Sequence, residues 1–162
     1  MKKIDILNIH IRPTKIADID ILFYFQLDKQ ARYLAAFTNK DSTDKSAYLT
    51  KFTKLLADTT VNNQTILMGD RIVGSIAKFI MHGDAEITYW LDKNFWGHGI
   101  AKKALSDFVK IEHTRPIFGR VAYDNFASQK VLEQTGFVKI GADKGFAQER
   151  QAEIEEFIYK LA

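Results

Sequence analysis

The sequence contains no cysteine and only two prolines among its 162 residues. The absence of cysteine excludes disulfides, cysteine-ligated zinc and a cysteine nucleophile, so any chemistry must use other groups. The prolines, Pro13 and Pro116, are too few and too far apart to mark a linker, and no internal repeat is present. Because 46% of the residues are hydrophobic, enough for one sizeable core, residues 1–162 are predicted to form a single domain.

The sequence also lacks long apolar runs and any block of charge of one sign. No segment approaches the roughly 20 consecutive apolar residues of a membrane span. Asp5 and Asn8 interrupt the amino-terminal stretch before it reaches signal-peptide length. The formal net charge is only +3, and no basic stripe with interleaved aromatics indicates nucleic-acid binding. We therefore expect a cytoplasmic protein that binds neither membrane nor nucleic acid.

Hydrophobic periodicity in the first third of the chain predicts one strand followed by three helices. The strand covers Asn8–Arg12, and the helices cover about Ala17–Leu27, Asp28–Ala36 and Thr43–Leu56. Apolar side chains at helical spacing usually pack against other elements. We therefore expect core positions, rather than substrate walls, for most of Leu22, Phe23, Phe25, Tyr33, Phe37, Phe52 and Leu55.

From Gln64 onward the pattern changes to short strands separated by turn residues. Glycine–aspartate pairs divide an antiparallel meander of three strands: Thr65–Met68, Ile72–Met81 and Ala85–Leu91. The rest of the chain predicts alternating helices and strands: a helix over Gly99–Ile111, a strand over Ile117–Ala122, a helix over Asn125–Thr135 and a strand over Ala152–Leu161. A meander followed by this alternation predicts a mixed α/β sheet with flanking helices.

The segment Trp96-Gly97-His98-Gly99-Ile100-Ala101 lies between a predicted strand and a predicted helix. Its small residues allow a ligand to approach the backbone, and the free N–H groups of a helix start favour phosphate oxygens. The dinucleotide and P-loop fingerprints are both absent, so a glycine-rich turn without a ligand is the alternative. His98 is flanked by glycines and receives no catalytic role. The four histidines show no metal-ligand spacing, and no metal is expected.

Residues 87–105, ITYWLDKNFWGHGIAKKAL, resemble the cofactor-binding segment of the GNAT superfamily of N-acetyltransferases. The branch that looks nearest contains the ribosomal-protein N-terminal acetyltransferases and related enzymes that acetylate small molecules, in which a Trp-Gly-x-Gly-x-Ala loop recurs. A second segment, from Asp124-Asn125-Phe126-Ala127-Ser128 to Gly136-Phe137, is similar to the Asn-x-x-Ser helix of that branch. The wider superfamily begins the loop with Gln or Arg where this chain has Trp96.

This resemblance implies a mainly antiparallel sheet in which the strand ending at Leu91 splays from the strand beginning near Ile117. It implies acetyl-CoA as cosubstrate, with the pantetheine arm in that wedge beside the backbone of Trp90 and Leu91. It places the pyrophosphate on the amides of five consecutive residues: His98, Gly99, Ile100, Ala101 and Lys102. Lys102 and its neighbour Lys103 add charge there, unless they are simply solvated on the helix surface.

Two glutamates are candidates for the general base that an amine acceptor requires, because an amine with a pKa near 10.4 is mostly protonated at neutral pH. Glu86 shares a strand face with Thr88 and Trp90, and Ala85-Glu86-Ile87 matches a base-bearing string in similar enzymes. A solvent-facing glutamate at a hairpin is the alternative. Glu149 is the second candidate, since the resembling branch has a glutamate at or near Ala147.

Ser128 follows from the Asn-x-x-Ser match. In the resembling enzymes this hydroxyl donates to the departing thiolate of CoA, and many other members use a tyrosine at the position that is Leu132 here. Asn125 belongs to the same cofactor-binding motif. The alternatives are a serine that bonds its own helix backbone and an asparagine that only caps the helix.

The sequence leaves the acceptor open. A protein N-terminus, a polyamine, an aminoglycoside and an amino-acid-like metabolite all fit, and residues 37–63 are expected to cover the acceptor site. A non-catalytic acyl-CoA-binding sensor with the same fold is the alternative from a different functional class. The oligomeric state is expected to be a monomer or a homodimer.

Overall fold

The computed structural model describes residues 5–40 and 42–162, so residues 1–4 and 41 of the predicted domain lie outside the described part. A seven-stranded sheet has the order β1-β2-β3-β4-β5-β7-β6. Its strands are β1 (Ile9–Pro13), β2 (Asn62–Met68), β3 (Arg71–Met81), β4 (Asp84–Leu91), β5 (Ile117–Ala122), β6 (Val138–Ala147) and β7 (Ala152–Leu161). Every neighbouring pair is antiparallel except β4 and β5, which are parallel. The predicted mixed, mainly antiparallel sheet is confirmed.

In the described residues, five helices flank the sheet: α1 (Ile16–Phe25), α2 (Lys29–Ala35), α3 (Lys45–Ala57), α4 (Ile100–Ile111) and α5 (Phe126–Gln134). Three of them begin where an acidic or amide side chain accepts a hydrogen bond from the first turn, at Asp28, Asp44 and Asn125. Two single turns of 3₁₀ helix cover Ile6–Asn8 and Lys93–Phe95. None of the helices in the described ranges is both long enough and apolar enough to cross a bilayer.

The main core lies between one face of the sheet and helices α4 and α5. It contains strand residues such as Ile76 and Ile87 together with Leu105 and Phe108 of α4 and Leu132 of α5. The opposite face carries α1 and α2, and α3 packs against α1 through the ring contacts of Tyr48 with Phe23. A small cluster of Ala36, Ala122 and Ala147 lets the end of α2 approach this second face closely.

The expected core positions in the first helices are confirmed at Leu22 and Phe23, which are 5% and 3% exposed. Tyr33 differs, because it is 51% exposed and lies beneath the Arg150 guanidinium, 3.8 Å from its ring centroid. Helical spacing alone cannot separate these positions, since α2 has only seven residues and turns part of its surface outward.

One strand is not predicted by the sequence pattern. β6 forms the edge of the sheet, and nearly all of its side chains are exposed or half-buried, so it has no buried stripe for alternation to reveal. Gly141, Asp143 and Gly145 add residues that are usually depleted in strands. Its strand conformation is therefore decided by pairing with β7 along nearly its whole length.

Candidate active site

The parallel strands β4 and β5 pair at only two positions, Glu86 with Phe118 and Ile87 with Gly119. Residues 88–91 continue β4 without a partner on β5, while they remain paired with β3 on the other side. The two strands therefore splay into a wedge, as the resemblance implies. Because β4 runs toward Leu91, the wedge widens toward the loop that follows this strand.

That loop carries Gly97 and Gly99 in the left-handed region, with φ of 80° and 78°. Gly99 is the residue before α4, and no side chain in the described part of the protein caps the first turn of this 12-residue helix. The indole N–H of Trp96 donates to the Leu91 carbonyl at 3.2 Å and fixes the loop beneath the end of β4. The result is a row of backbone amides at the positive end of a helix that have no hydrogen-bond acceptor among residues 5–40 and 42–162, in the loop that follows the wide end of the wedge.

The five residues predicted to bind the pyrophosphate differ in the exposure of their side chains. His98, Gly99 and Lys102 are exposed, Ala101 is half-buried, and Ile100 is 1% exposed and can contribute only its backbone. Backbone amides are therefore the donors that all five positions share. These features fit a polyanionic group, since Gly99 adds no side chain of its own at the helix start, where Ile6 Cδ1 would lie 3.7 Å from a Cβ on this glycine.

Trp90 and Leu91, the residues predicted beside the pantetheine arm, already form hydrogen bonds within the protein. The Trp90 indole N–H donates to the Phe25 carbonyl at 3.2 Å, so this side chain ties β4 to the end of α1. The Leu91 carbonyl already accepts the bond from Trp96. The backbone groups of residues 88–90 that point toward β5 have no partner on that strand, so they are the groups left for a ligand in the wedge.

Asn125 and Ser128 lie at the start of α5, at the edge of the wedge. The Asn125 side chain accepts from the Ser128 amide at 3.4 Å and donates to the Leu34 carbonyl at 3.4 Å, so it acts as a helix cap that also contacts α2. The Ser128 hydroxyl lies 2.6 Å from the phenol oxygen of Tyr89 on β4. Burial raises the pKa of Tyr89 to about 12, against the opposing effect of the Ser128 hydrogen bond.

Glu86 is buried, with only 6% of its surface exposed, so the alternative of a solvent-facing glutamate is wrong. Its Oε2 accepts from Arg120 Nε at 3.3 Å, and no other group in residues 5–40 and 42–162 donates to this carboxylate. Arg120 also donates to Glu156 at 3.2 Å and lies 3.9 Å from Asp143. Three carboxylates from three strands thus share one guanidinium.

The pKa values within this cluster follow from burial and charge. Burial is the main reason that the pKa of Glu156 is raised, and the charges of Glu86 and Asp143 add to it while Arg120 opposes it. Burial acts to lower the pKa of Arg120, but its bonds and charge interactions with Glu156 and Glu86 outweigh this and raise it. The guanidinium therefore stays charged beside Glu86.

Glu149 lies in the turn between β6 and β7 and is held by neighbouring groups. Its Oε1 accepts from Arg32 and from the Thr38 hydroxyl, and its amide donates to the Ala36 carbonyl at 3.1 Å. Ala36 itself has a positive φ of 66°, which an alanine rarely adopts. Ala147, where the resemblance places a glutamate, is fully buried against Ala36 and Ala122.

Three residues of this region are absent from the sequence-based prediction: Tyr89, Arg120 and Arg32. Arg120 carried a signal, because it is the one charged residue in an otherwise apolar strand. Tyr89 and Arg32 gave none, since a tyrosine in a strand and an arginine in a helix are ordinary. Among the described residues, no group of three or more His, Cys, Asp or Glu side chains is placed to hold a metal ion.

Solved structures with the same fold include several acetyltransferases. One is "RimL- Ribosomal L7/L12 alpha-N-protein acetyltransferase" in complex with coenzyme A, with TM-score 0.82, 18% identity, and coverage of 99% of this chain and 97% of that one. The ribosomal-protein-S5-alanine acetyltransferase of Vibrio fischeri has TM-score 0.75, 18% identity, and coverage of 95% and 92%. The microcin C7 self-immunity acetyltransferase MccE, in complex with acetyl-CoA and AMP, has TM-score 0.78, 17% identity, and coverage of 95% and 92%.

Sequence comparison gives a family rather than an individual relative. No protein with a curated function is significantly similar to this chain. Residues 8–138, however, match the acetyltransferase (GNAT) domain family. This match covers both segments that carry the resemblance, the loop before α4 and the start of α5. The chain therefore belongs to the GNAT acetyltransferase family, and the wedge between β4 and β5 belongs to an acetyl-transferring enzyme.

Proposed function

We propose that this enzyme transfers the acetyl group of acetyl-CoA directly to a primary amine of a small molecule or of a protein N-terminus. One observation carries the proposal: Glu86 and Tyr89 lie on opposite faces of β4, close to Ile87, the last residue of β4 that pairs with β5. Tyr89 is joined there by Ser128. A carboxylate and a hydroxyl on opposite sides of the wedge suit a reaction in which an amine arrives on one side and a thiolate leaves on the other.

The binding of acetyl-CoA would use the free amides at the start of α4 for the pyrophosphate, at His98, Gly99, Ile100, Ala101 and Lys102. The unpaired edge of β4 near Trp90 and Leu91 would accept the pantetheine arm, and Asn125 would hold the start of α5 against it. When bound, the cosubstrate supplies a thioester whose carbonyl carbon is the electrophile. The phosphates favour a site of oriented amides and positive helix dipole.

Glu86 would take the proton of the attacking amine, directly or through one water. The amine attacks in its neutral form: as the carbon–nitrogen bond forms and the carbon–sulfur bond breaks, the nitrogen loses one proton to the carboxylate and the sulfur leaves as a thiolate. Ser128 would donate a hydrogen bond to that thiolate, so the charge lost at Glu86 appears on a stabilised sulfur. Each proton-handling group of this kind contributes about 10² to 10⁴ in rate.

Direct transfer is supported by the composition of the chain. An acetyl-enzyme intermediate on a cysteine thiol, the most nucleophilic neutral-pH side chain, is excluded because the sequence has no cysteine. Initial-rate kinetics with both substrates varied should therefore give intersecting lines, which indicate a ternary complex. Parallel lines, which indicate a substituted enzyme, would contradict direct attack.

A panel of amines tests the activity and the acceptor class together. Polyamines, aminoglycosides, amino-acid-like amines and peptides with different N-terminal residues would be mixed with acetyl-CoA, and release of the CoA thiol would be measured. Release that depends on one acceptor class, together with acetylated product by mass spectrometry, is the expected result. Tight acetyl-CoA binding with no transfer to any amine would favour the non-catalytic sensor instead.

A further inference from the structure

Tyr89 connects the unpaired part of β4 to the start of α5. By the two-residue period of the strand it lies on the face opposite Glu86, where it packs against the main core. Its phenol oxygen lies 2.6 Å from Ser128 Oγ and 3.4 Å from the Ser128 carbonyl. We propose that Tyr89 is a positioning residue whose phenol donates to Ser128 Oγ and thereby directs the serine proton into the wedge. This inference rests on the proposed role of Ser128.

The direction of the hydrogen bond follows from the acidity of the two hydroxyls. A phenol is far more acidic than an alcohol, so it is the stronger donor, and the serine oxygen has two lone pairs to accept with. With its pKa raised to about 12, the phenol stays protonated throughout the neutral range and keeps this donor role. The serine hydroxyl then has one proton left to give.

No group in the described part of the chain accepts that remaining proton. Ser128 occupies the first turn of α5, where its amide bonds to Asn125, and its hydroxyl contacts Tyr89 alone. One helical turn further on, Leu132 is 2% exposed and apolar and offers no hydroxyl. The hydroxyl that accompanies Ser128 at this end of the wedge is therefore that of Tyr89 on β4. The remaining serine proton is available to a ligand that enters between β4 and β5.

The variant Tyr89→Phe removes only the phenol oxygen and tests the inference. We expect kcat to fall about three- to tenfold, the net worth of one hydrogen bond, while the affinity for acetyl-CoA stays unchanged. Tyr159→Phe is the matched control. Tyr159 is 1% exposed and lies on β7 rather than on β4, and its hydroxyl also has a single side-chain partner, Glu133 at 2.9 Å. This control should lose stability without losing kcat.

A double-mutant cycle with Ser128→Ala separates positioning from packing. If Tyr89 acts through Ser128, then Tyr89→Phe should have almost no further effect on kcat once the serine hydroxyl is gone. An equal loss from Tyr89→Phe in both backgrounds would overturn the inference and leave the proposed function intact. An unchanged kcat in Ser128→Ala alone would instead contradict the proposed role of the serine, and with it the role given to Tyr89.

Discussion

The two faces of the sheet at the wedge, here called its two sides, carry different chemical groups. The proposed donor side, formed by the loop of residues 96–101, Tyr89 and Ser128, offers backbone amides and neutral hydroxyls against the main apolar core. The proposed acceptor side, formed by Glu86, Arg120, Glu156 and Glu149 with Arg32, carries carboxylates that are paired with two arginines. Fixed dipoles suit an anionic ligand of constant shape, whereas an ionisable cluster suits a group that must lose a proton.

The largest effect is expected on the donor side, from Gly99→Val. A β-branched residue at a φ of 78° would obstruct the approach to the α4 amides and abolish acetyl-CoA binding. The same φ makes any side chain strained, so some stability is lost as well. Gly83→Val is the matched control, because Gly83 has a φ of 85° in the hairpin turn between β3 and β4, at the opposite end of β4 from the glycine loop. Binding by calorimetry should vanish only in Gly99→Val, and equal affinities in the two variants would refute the phosphate-loop assignment.

The next largest effect is expected on the acceptor side, from Glu86→Gln. Turnover should fall about 10²- to 10⁴-fold, with acetyl-CoA affinity nearly unchanged, because the amide keeps the size and loses the proton acceptor. Activity should recover partly at high pH, where the amine loses its proton without help. Steady-state rates between pH 6 and pH 10 measure both.

Glu149→Gln is the companion experiment that decides between the two carboxylates. Glu149 already accepts from Arg32 and Thr38, so its loss should loosen the turn beside α2 more than it slows proton transfer. A large loss of turnover in Glu149→Gln, with normal turnover in Glu86→Gln, would move the base to the β6–β7 turn.

A smaller effect on turnover is expected from Arg120→Gln. This arginine holds Glu86, and without it the carboxylate is free to reorient, which we expect to lower turnover roughly tenfold. Arg12→Gln is the control: Arg12 has nearly the same side-chain exposure, 30% against 34%, and also pairs with a buried carboxylate, Asp18 on α1. Rates per folded molecule should fall only in Arg120→Gln. Equal rates in the two variants would show that Arg120 only stabilises the fold.

The smallest effect is a pH-dependent gain in stability from Glu156→Gln. The folded pKa of Glu156 is raised by burial, so the unfolded chain, with a pKa near 4.3, ionises first. Its contribution to stability is therefore complete below about pH 4 and is lost as the pH rises through the folded pKa. Glutamine does not ionise, so the Glu156→Gln variant does not lose this stability as the pH rises. The melting temperature of the variant minus that of the wild type should therefore increase by a few degrees between pH 4 and pH 7. A constant difference would contradict the burial argument.

Much of the fold could be predicted because local signals agreed with the tertiary arrangement. The turn pairs at Gly69 and Gly83 delimit β2, β3 and β4, and the Asn125 cap and Gly136 delimit α5. β6 could not be predicted, since an exposed edge strand has no buried stripe and its conformation depends on β7. The glycine loop of residues 96–101 and the start of α4 could be predicted because glycine spacing and a helix start are local features. The partners of Glu86 and Glu149 could not, since they come from residues 34 and 117 positions away.

The sequence by itself determined the order of the elements up to α5, the glycine loop that exposes the amides of α4, and the segments that indicate an acetyltransferase. These features are encoded in neighbouring residues, whose backbone preferences and side-chain period act locally. Only the tertiary structure decided that Glu86 is buried beside Arg120 rather than solvated, and that Tyr89 reaches Ser128. Both pairings depend on where β4 and β5 part, and two parallel strands joined through a helix are set in register only when the whole sheet assembles.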